Sequence, residues 1–204
     1  IGEWSAVNRL IADATQNFWF GHQGYEFLDL GRFWQIYLFI GLLLWVVLVL
    51  RGMWPALKRP ETRSLLYLVI VATVSIGLLF GAGLFYGQNT HITIMEYWRW
   101  WVVHLWVENF FEVFATVAVA FVLVRINALG QRAALRATYF SIALYLGAGI
   151  IGTFHHLYFS GTPLFITSLG ATFSALEVVP LSLLGFEVYE HLKLARSGEN
   201  ARPW

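Results

Sequence analysis

The sequence predicts an all-α integral membrane protein, a bundle of five transmembrane helices. Three observations carry that prediction. Of the 204 residues 58% are hydrophobic and only 12% charged, with a mean hydropathy of +0.64. A water-soluble domain carries about twice that density of charge, so lipid is the expected solvent. Next, a span needs about 20 mostly apolar residues, because about 30 Å of hydrocarbon is crossed at about 1.5 Å per residue. Five stretches qualify, at 33–50, 64–86, 97–124, 136–159 and 167–194. Finally, ten of the 13 Lys and Arg fall on alternate loops and thus on one side of such a bundle.

Taken in order, residues 1–32 have ordinary polar composition and form an outer-face segment. Gly21-His22-Gln23-Gly24 reads as a turn leading through a short amphipathic piece into the first span. The loop after that span holds Arg51, Lys58, Arg59 and Arg63, the loop after the third holds Arg125, Arg132 and Arg136, and the tail holds Lys193, Arg196 and Arg202. The other side has only Arg9, Arg32 and Arg99. Basic loops stay cytoplasmic, which puts 1–32 outside and the C-terminus inside. The last three stretches exceed what a span requires, so tilt or extension past the bilayer is expected. Residues 33–204 are then one membrane domain, without internal repeat or linker.

Composition also excludes functions. A net charge of +1 provides no field for nucleic acid. The absence of cysteine removes disulfides, thiolate metal sites and iron–sulfur clusters, so any metal must be held by His, Asp or Glu. Ten Trp, nine Tyr and 17 Phe suit membrane interfaces and packing around a flat cofactor. The opening Ile-Gly-Glu-Trp lacks both Met and a basic leader, which is the expectation for an internal piece of a longer protein.

Residues four apart share a helix face, so a His and a Glu at that spacing can offer an imidazole and a carboxylate to one ion. Three pairs have it: His22/Glu26, His104/Glu108 and Glu187/His191. Depth separates them. The first precedes the spans and reads as a surface pair of low energetic worth. The last lies near the cytoplasmic end, where polar groups reach water cheaply. His104/Glu108 lies roughly 10–17 Å down a helix starting near Tyr97. There a carboxylate costs several kcal/mol unless it is paired, protonated or bound to a cation.

The fourth helix runs outward and ends near Phe159, which puts His155 and His156 in its last outer turn. Adjacent residues on an ideal helix point about 100° apart, so two ligands from one His-His pair require a local distortion. Gly147, Gly149 and Gly152 before the pair, and Gly161 and Pro163 after it, are suited to supply one. His104, Glu108, His155 and His156 thus share the outer half of one membrane slab, a borderline-hard donor set suited to iron, zinc or manganese. Two more acids lie close in depth. Glu112 continues the His104/Glu108 stripe, and Glu177 precedes Pro180, which frees the carbonyl of residue 176 and kinks the fifth helix. A desolvated carboxyl of this kind can exchange protons, the alternative being a neutral hydrogen-bonded interhelical acid.

At these positions the chain resembles a known family. Tyr97-Trp98-Arg99-Trp100-Trp101-Val102-Val103-His104-Leu105-Trp106-Val107-Glu108, Thr153-Phe154-His155-His156-Leu157-Tyr158 and Ser174-Ala175-Leu176-Glu177 look like the non-haem iron segments of respiratory nitric oxide reductases. The separations match too, 51 residues from His104 to His155 and 22 from there to Glu177. The Phe110-Phe111-Glu112-Val113-Phe114-Ala115-Thr116 run, with Gly21–Glu26, is more similar to the quinol-oxidising branch than to the cytochrome c branch.

The resemblance implies part of a larger haem-copper-oxidase-like bundle in a bacterial inner membrane. In it His104, Glu108, His155 and His156 ligate a non-haem iron facing a b-type haem, and nitric oxide is reduced to nitrous oxide and water. Quinol is the implied electron donor. Glu112 and Glu177 become the catalytic acids of the proton supply, Glu26 and Asp29 match outer-face acids of its entry route, and Trp100, Trp101 and Trp106 are packing or interface anchors. Two departures stand out. Position 109 is Asn where the family has Gly, and an amide crowds whatever haem or helix approaches over glycine. His22, His91 and His191 do not fit the family's haem ligands, so those ligands are expected outside this chain.

Two other readings compete. An oxygen-reducing haem-copper oxidase shares the His-His pair but holds copper, and carries Tyr where this chain has Glu108. A non-enzymatic proton or metal conductor also uses buried acids and histidines, but here they gather in the outer half and do not line a route across.

Overall fold

The computed structural model describes residues 1–23, 30–60 and 63–197. Its regular structure is helical, and among the described residues β-pairing is limited to one bridge between His22 and Leu30. Two short helices precede the spans, α1 (Gly2–Val7) and α2 (Ala14–Phe20), the latter capped by Asp13, which accepts from the Gln16 amide. Sequence reading missed both, because neither has an apolar face long enough to register. The amphipathic piece expected after the turn, with Glu26 and Asp29, lies outside the described residues.

Five helices are long and apolar enough to cross a membrane, as the sequence predicts: Arg32–Lys58, Arg63–Leu84, Ile92–Arg125, Gln131–Tyr158 and Leu164–Leu194. The first is α3 (Arg32–Met53) with a 3₁₀ turn where Pro55 prevents the α-helix from continuing. The second is α4 (Arg63–Leu79), closing in a 3₁₀ turn over Phe80–Leu84. The third begins at Ile92, earlier than the expected start near Tyr97, because the His91 side chain caps it by accepting from the Thr93 amide. It comprises α5 (Ile92–Trp100), a π-helical stretch over Trp101–Phe111, and α6 (Glu112–Arg125). The fourth is α7 (Gln131–Gly152) followed by 3₁₀ backbone over Thr153–Ser160. The fifth is broken into α8 (Leu164–Ala175) and α9 (Val178–Ser197).

The core runs between α4, α6 and α7, where Leu65, Val69 and Ala72 meet Val113, Val117 and Tyr145. A second cluster of Ala120, Leu129, Ala134 and Leu184 joins α9 to it. Outward faces are apolar as well: Leu44, Val71, Leu78, Val178 and Phe186 are each at least 60% exposed. That inversion of a water-soluble surface is what a hydrocarbon surrounding allows. The start of the first span is tied to the end of the second by Arg32, whose guanidinium donates to the carbonyls of Gly83 and Tyr86 and lies over the Tyr86 ring. Those carbonyls lie in the last turn of a helix and just beyond it, where intrahelical donors run out, so a buried cation that donates to them satisfies both sides.

Candidate metal centre

Each side chain of the centre sits on irregular helix. His104 and Glu108 lie in the π-helical stretch, whose i→i+5 bonding widens the turn and is characteristic of functional sites. His104 is fully buried, and its Nδ1 is 2.9 Å from Glu108 Oε2. His155 and His156 lie in the 3₁₀ segment, with Leu157 at non-helical angles and Gly161 closing it at φ +77°, a left-handed conformation that favours glycine. The distortion that the His-His pair requires is therefore present.

Two glycines bring this segment against its neighbours. A Cβ on Gly152 would lie 2.8 Å from His104 Nε2, so the third and fourth spans touch there only because that atom is missing. A Cβ on Gly170 would lie 2.5 Å from the His155 amide nitrogen, which presses α8 onto the backbone carrying the His pair.

The four ligand atoms converge. Within the set, His104 Nδ1 is 3.2 Å from His156 Nε2, His155 Nε2 is 2.6 Å from His156 Nε2, and Glu108 reaches His156 at 3.5 Å and His155 at 4.0 Å. All four donors lie within 4.8 Å of one another, and among the described residues this is the one such group of three or more. Metal–nitrogen and metal–oxygen bonds of about 2.0–2.2 Å place neighbouring ligands about 3.3–3.5 Å apart, and the observed separations bracket that value. Three imidazole nitrogens and a carboxylate facing one another suit a divalent cation, which takes a lone pair from each.

Glu177 approaches from the opposite side. It falls at the α8–α9 break, where the Leu176 carbonyl accepts from the Val179 amide. Pro180 has no N–H with which to claim that carbonyl, so the kink expected from the sequence forms. Glu177 is buried, its Oε1 has no hydrogen-bond partner, and it lies 3.8 Å from His104 Nε2, itself without one. Glu112 is not among the converging ligands. It lies beside Tyr145, which in turn faces Thr116.

Asn109 is fully buried, and its amide donates to the Tyr145 carbonyl at 2.7 Å. The helix that approaches position 109 is α7, and Gly149 there leaves the space that the amide fills. The crowding expected of Asn109 is thus absorbed by Gly149, and the four candidate donors still converge.

His22 pairs with Glu3, at 3.5 Å. Trp100, read as an anchor, is buried with its ring stacked on the His156 imidazole at 4.1 Å between centroids. Sequence reasoning also missed Glu96 and Tyr145. Glu96 carried a signal, a charge on an apolar helix with Arg99 three residues on.

The chain is 34% identical over 115 residues to a nitric oxide reductase subunit of Stutzerimonas stutzeri, covering 54% of this chain and 24% of that protein. It therefore spans about a quarter of the length of that relative. The family model for cytochrome c and quinol oxidase polypeptide I matches residues 4–198. The chain belongs to the cytochrome c and quinol oxidase polypeptide I family, as a multi-pass membrane protein.

Proposed function

We propose that this chain provides the non-haem iron ligands of a nitric oxide reductase. In this reading two nitric oxide molecules, two electrons and two protons become nitrous oxide and water, with quinol as the electron donor. The observation that carries it is the presence of Glu108 among three histidines, all four donors lying within 4.8 Å of one another. A carboxylate neutralises part of the charge of a divalent iron in a low-dielectric slab, and it takes the place where the oxygen-reducing relatives carry Tyr. Held there by His104, Glu108, His155 and His156, an iron would supply redox chemistry toward nitric oxide, and the ligands of the partnering b-type haem are expected outside these 204 residues.

The residues of this chain have separate tasks. His104 offers Nδ1 to the cluster while His155 and His156 offer Nε2. His104 Nε2 is left facing Glu177, which can hold a proton on the buried side of the centre without entering the ligand shell. Glu112 holds a second proton deeper along the same helix face, against Tyr145. The membrane is a bacterial inner membrane, with 1–32 in the periplasm and the basic loops in the cytoplasm, as the distribution of Lys and Arg supports.

The test is metal analysis of the full-length protein beside its Glu108→Ala variant, with haem absorption and nitric oxide consumption followed in both. Loss of the non-haem iron and of nitric oxide consumption, with haem retained, is expected. Full iron stoichiometry in the variant overturns the ligand set. Oxygen reduction together with copper in place of iron would favour the sibling oxidase reading.

A further inference from the structure

We infer that Trp100, held in orientation by Glu96, is a positioning residue that sets the plane of the His156 imidazole. The inference rests on the metal-centre reading above. Glu96 and Trp100 share one face of α5, four residues apart, just before the π-helical stretch. Both are almost fully buried, at 1% and 4% exposure. The Glu96 carboxylate accepts from the Trp100 indole Nε1 at 2.8 Å and from the Arg99 guanidinium. Arg99 is 3% exposed and also lies over the Trp100 ring, 5.4 Å from its centroid.

Such an assembly is expensive to bury for packing alone, since replacing a buried ion pair by apolar groups is often neutral or stabilising. What it accomplishes is orientation. The indole N–H has one partner, so the hydrogen bond to Glu96 selects one rotation of the ring. That ring lies nearly parallel to His156, at 12° and 4.1 Å, while His155 stands almost perpendicular to His156 at 83°.

His156 needs this support more than His104 does. His104 is enclosed in the π-helical stretch and fully buried. His156 stands on 3₁₀ backbone next to the non-helical Leu157, where the poorer hydrogen-bond geometry holds a side chain less firmly. Partners that orient a ligand are worth about 10–100-fold in metal affinity. Glu96, Trp100 and His156 thus form a relay of position across two spans.

The experiment titrates Zn²⁺ into the full-length protein after removal of its non-haem metal, with zinc-edge X-ray absorption reporting the ordered imidazoles around the ion. Trp100→Leu should weaken Zn²⁺ binding by about 10–100-fold and diminish the ordered imidazole scattering. Trp100→Phe keeps an aromatic face without the N–H and should recover part, not all, of the affinity. Trp101→Leu is the matched control, because the Trp101 ring packs at a tilt against Tyr97 and Trp98 and not against a candidate ligand, and the change should leave the affinity unchanged. Equal losses in the Trp100→Leu and Trp101→Leu variants would reduce the effect to packing and overturn the inference. Full affinity in Trp100→Phe would remove Glu96 from it. His156→Ala separates the two readings: parental Zn²⁺ affinity in that variant overturns the metal centre itself, whereas its loss beside an unaffected Trp100→Leu overturns only the positioning role.

Discussion

Asn109 and Glu177 are neighbours of the same centre with different tasks. The Asn109 amide fills the space over Gly149 and donates to the Tyr145 carbonyl, so it joins the third span to the fourth. Asn109→Gly removes that bond, opens a cavity and places glycine inside a helix, for a loss of roughly 1–3 kcal/mol. The expected result is a lower thermal midpoint with metal stoichiometry preserved, read by unfolding in detergent beside metal analysis. Glu177→Gln changes little in shape and leaves the four ligands intact. It should retain the non-haem metal while nitric oxide turnover falls by about 10²–10⁴, the usual worth of a positioned acid or base. Loss of metal in that variant would instead make Glu177 a structural member of the centre.

Helix irregularity is what builds the site. A regular helix through 153–160 would separate the directions of the two adjacent histidines; here the backbone is irregular, with non-helical Leu157, and the two Nε2 atoms lie 2.6 Å apart. That backbone is clamped by α8 through Gly170. Gly170→Ala places a methyl 2.5 Å from the His155 amide nitrogen and 3.0 Å from the Phe154 carbonyl carbon, contacts that only backbone movement can relieve. Overpacking of this kind costs about 1–3 kcal/mol. Metal occupancy should fall sharply while haem absorption persists; parental occupancy would mean that the His pair does not depend on α8. The break at Leu176–Glu177 similarly brings a carboxylate to the centre, at a proline the sequence displays openly.

At the scale of the whole molecule, spans of 22 to 34 residues carry apolar outward faces, and the irregular stretches with the metal cluster gather where the third span begins and the fourth ends. The proposed orientation is directly testable, because these 204 residues contain no cysteine and labelling of the parent protein gives the background. Gly130→Cys lies at φ −69° in the loop between the third and fourth spans, with open space around its Cβ. A membrane-impermeant maleimide should label it in inverted vesicles and not in intact spheroplasts; the reverse result would turn the topology over.

The amino-acid sequence alone determined the membrane class, the five spans and the four candidate donors, His104, Glu108, His155 and His156, that the fold brings together. Hydropathy is additive along the chain, a His and a Glu four apart share a helix face in any context, and the lack of cysteine excludes thiolate metal chemistry. Tertiary structure decided which imidazole nitrogen faces the cluster, that Gly149 receives Asn109, that Glu177 lies behind His104 and that Glu96 and Trp100 stand behind His156. These are contacts between spans. They depend on where small residues let helices approach and where hydrogen-bonding departs from the α pattern, and neither is encoded by periodicity within one segment.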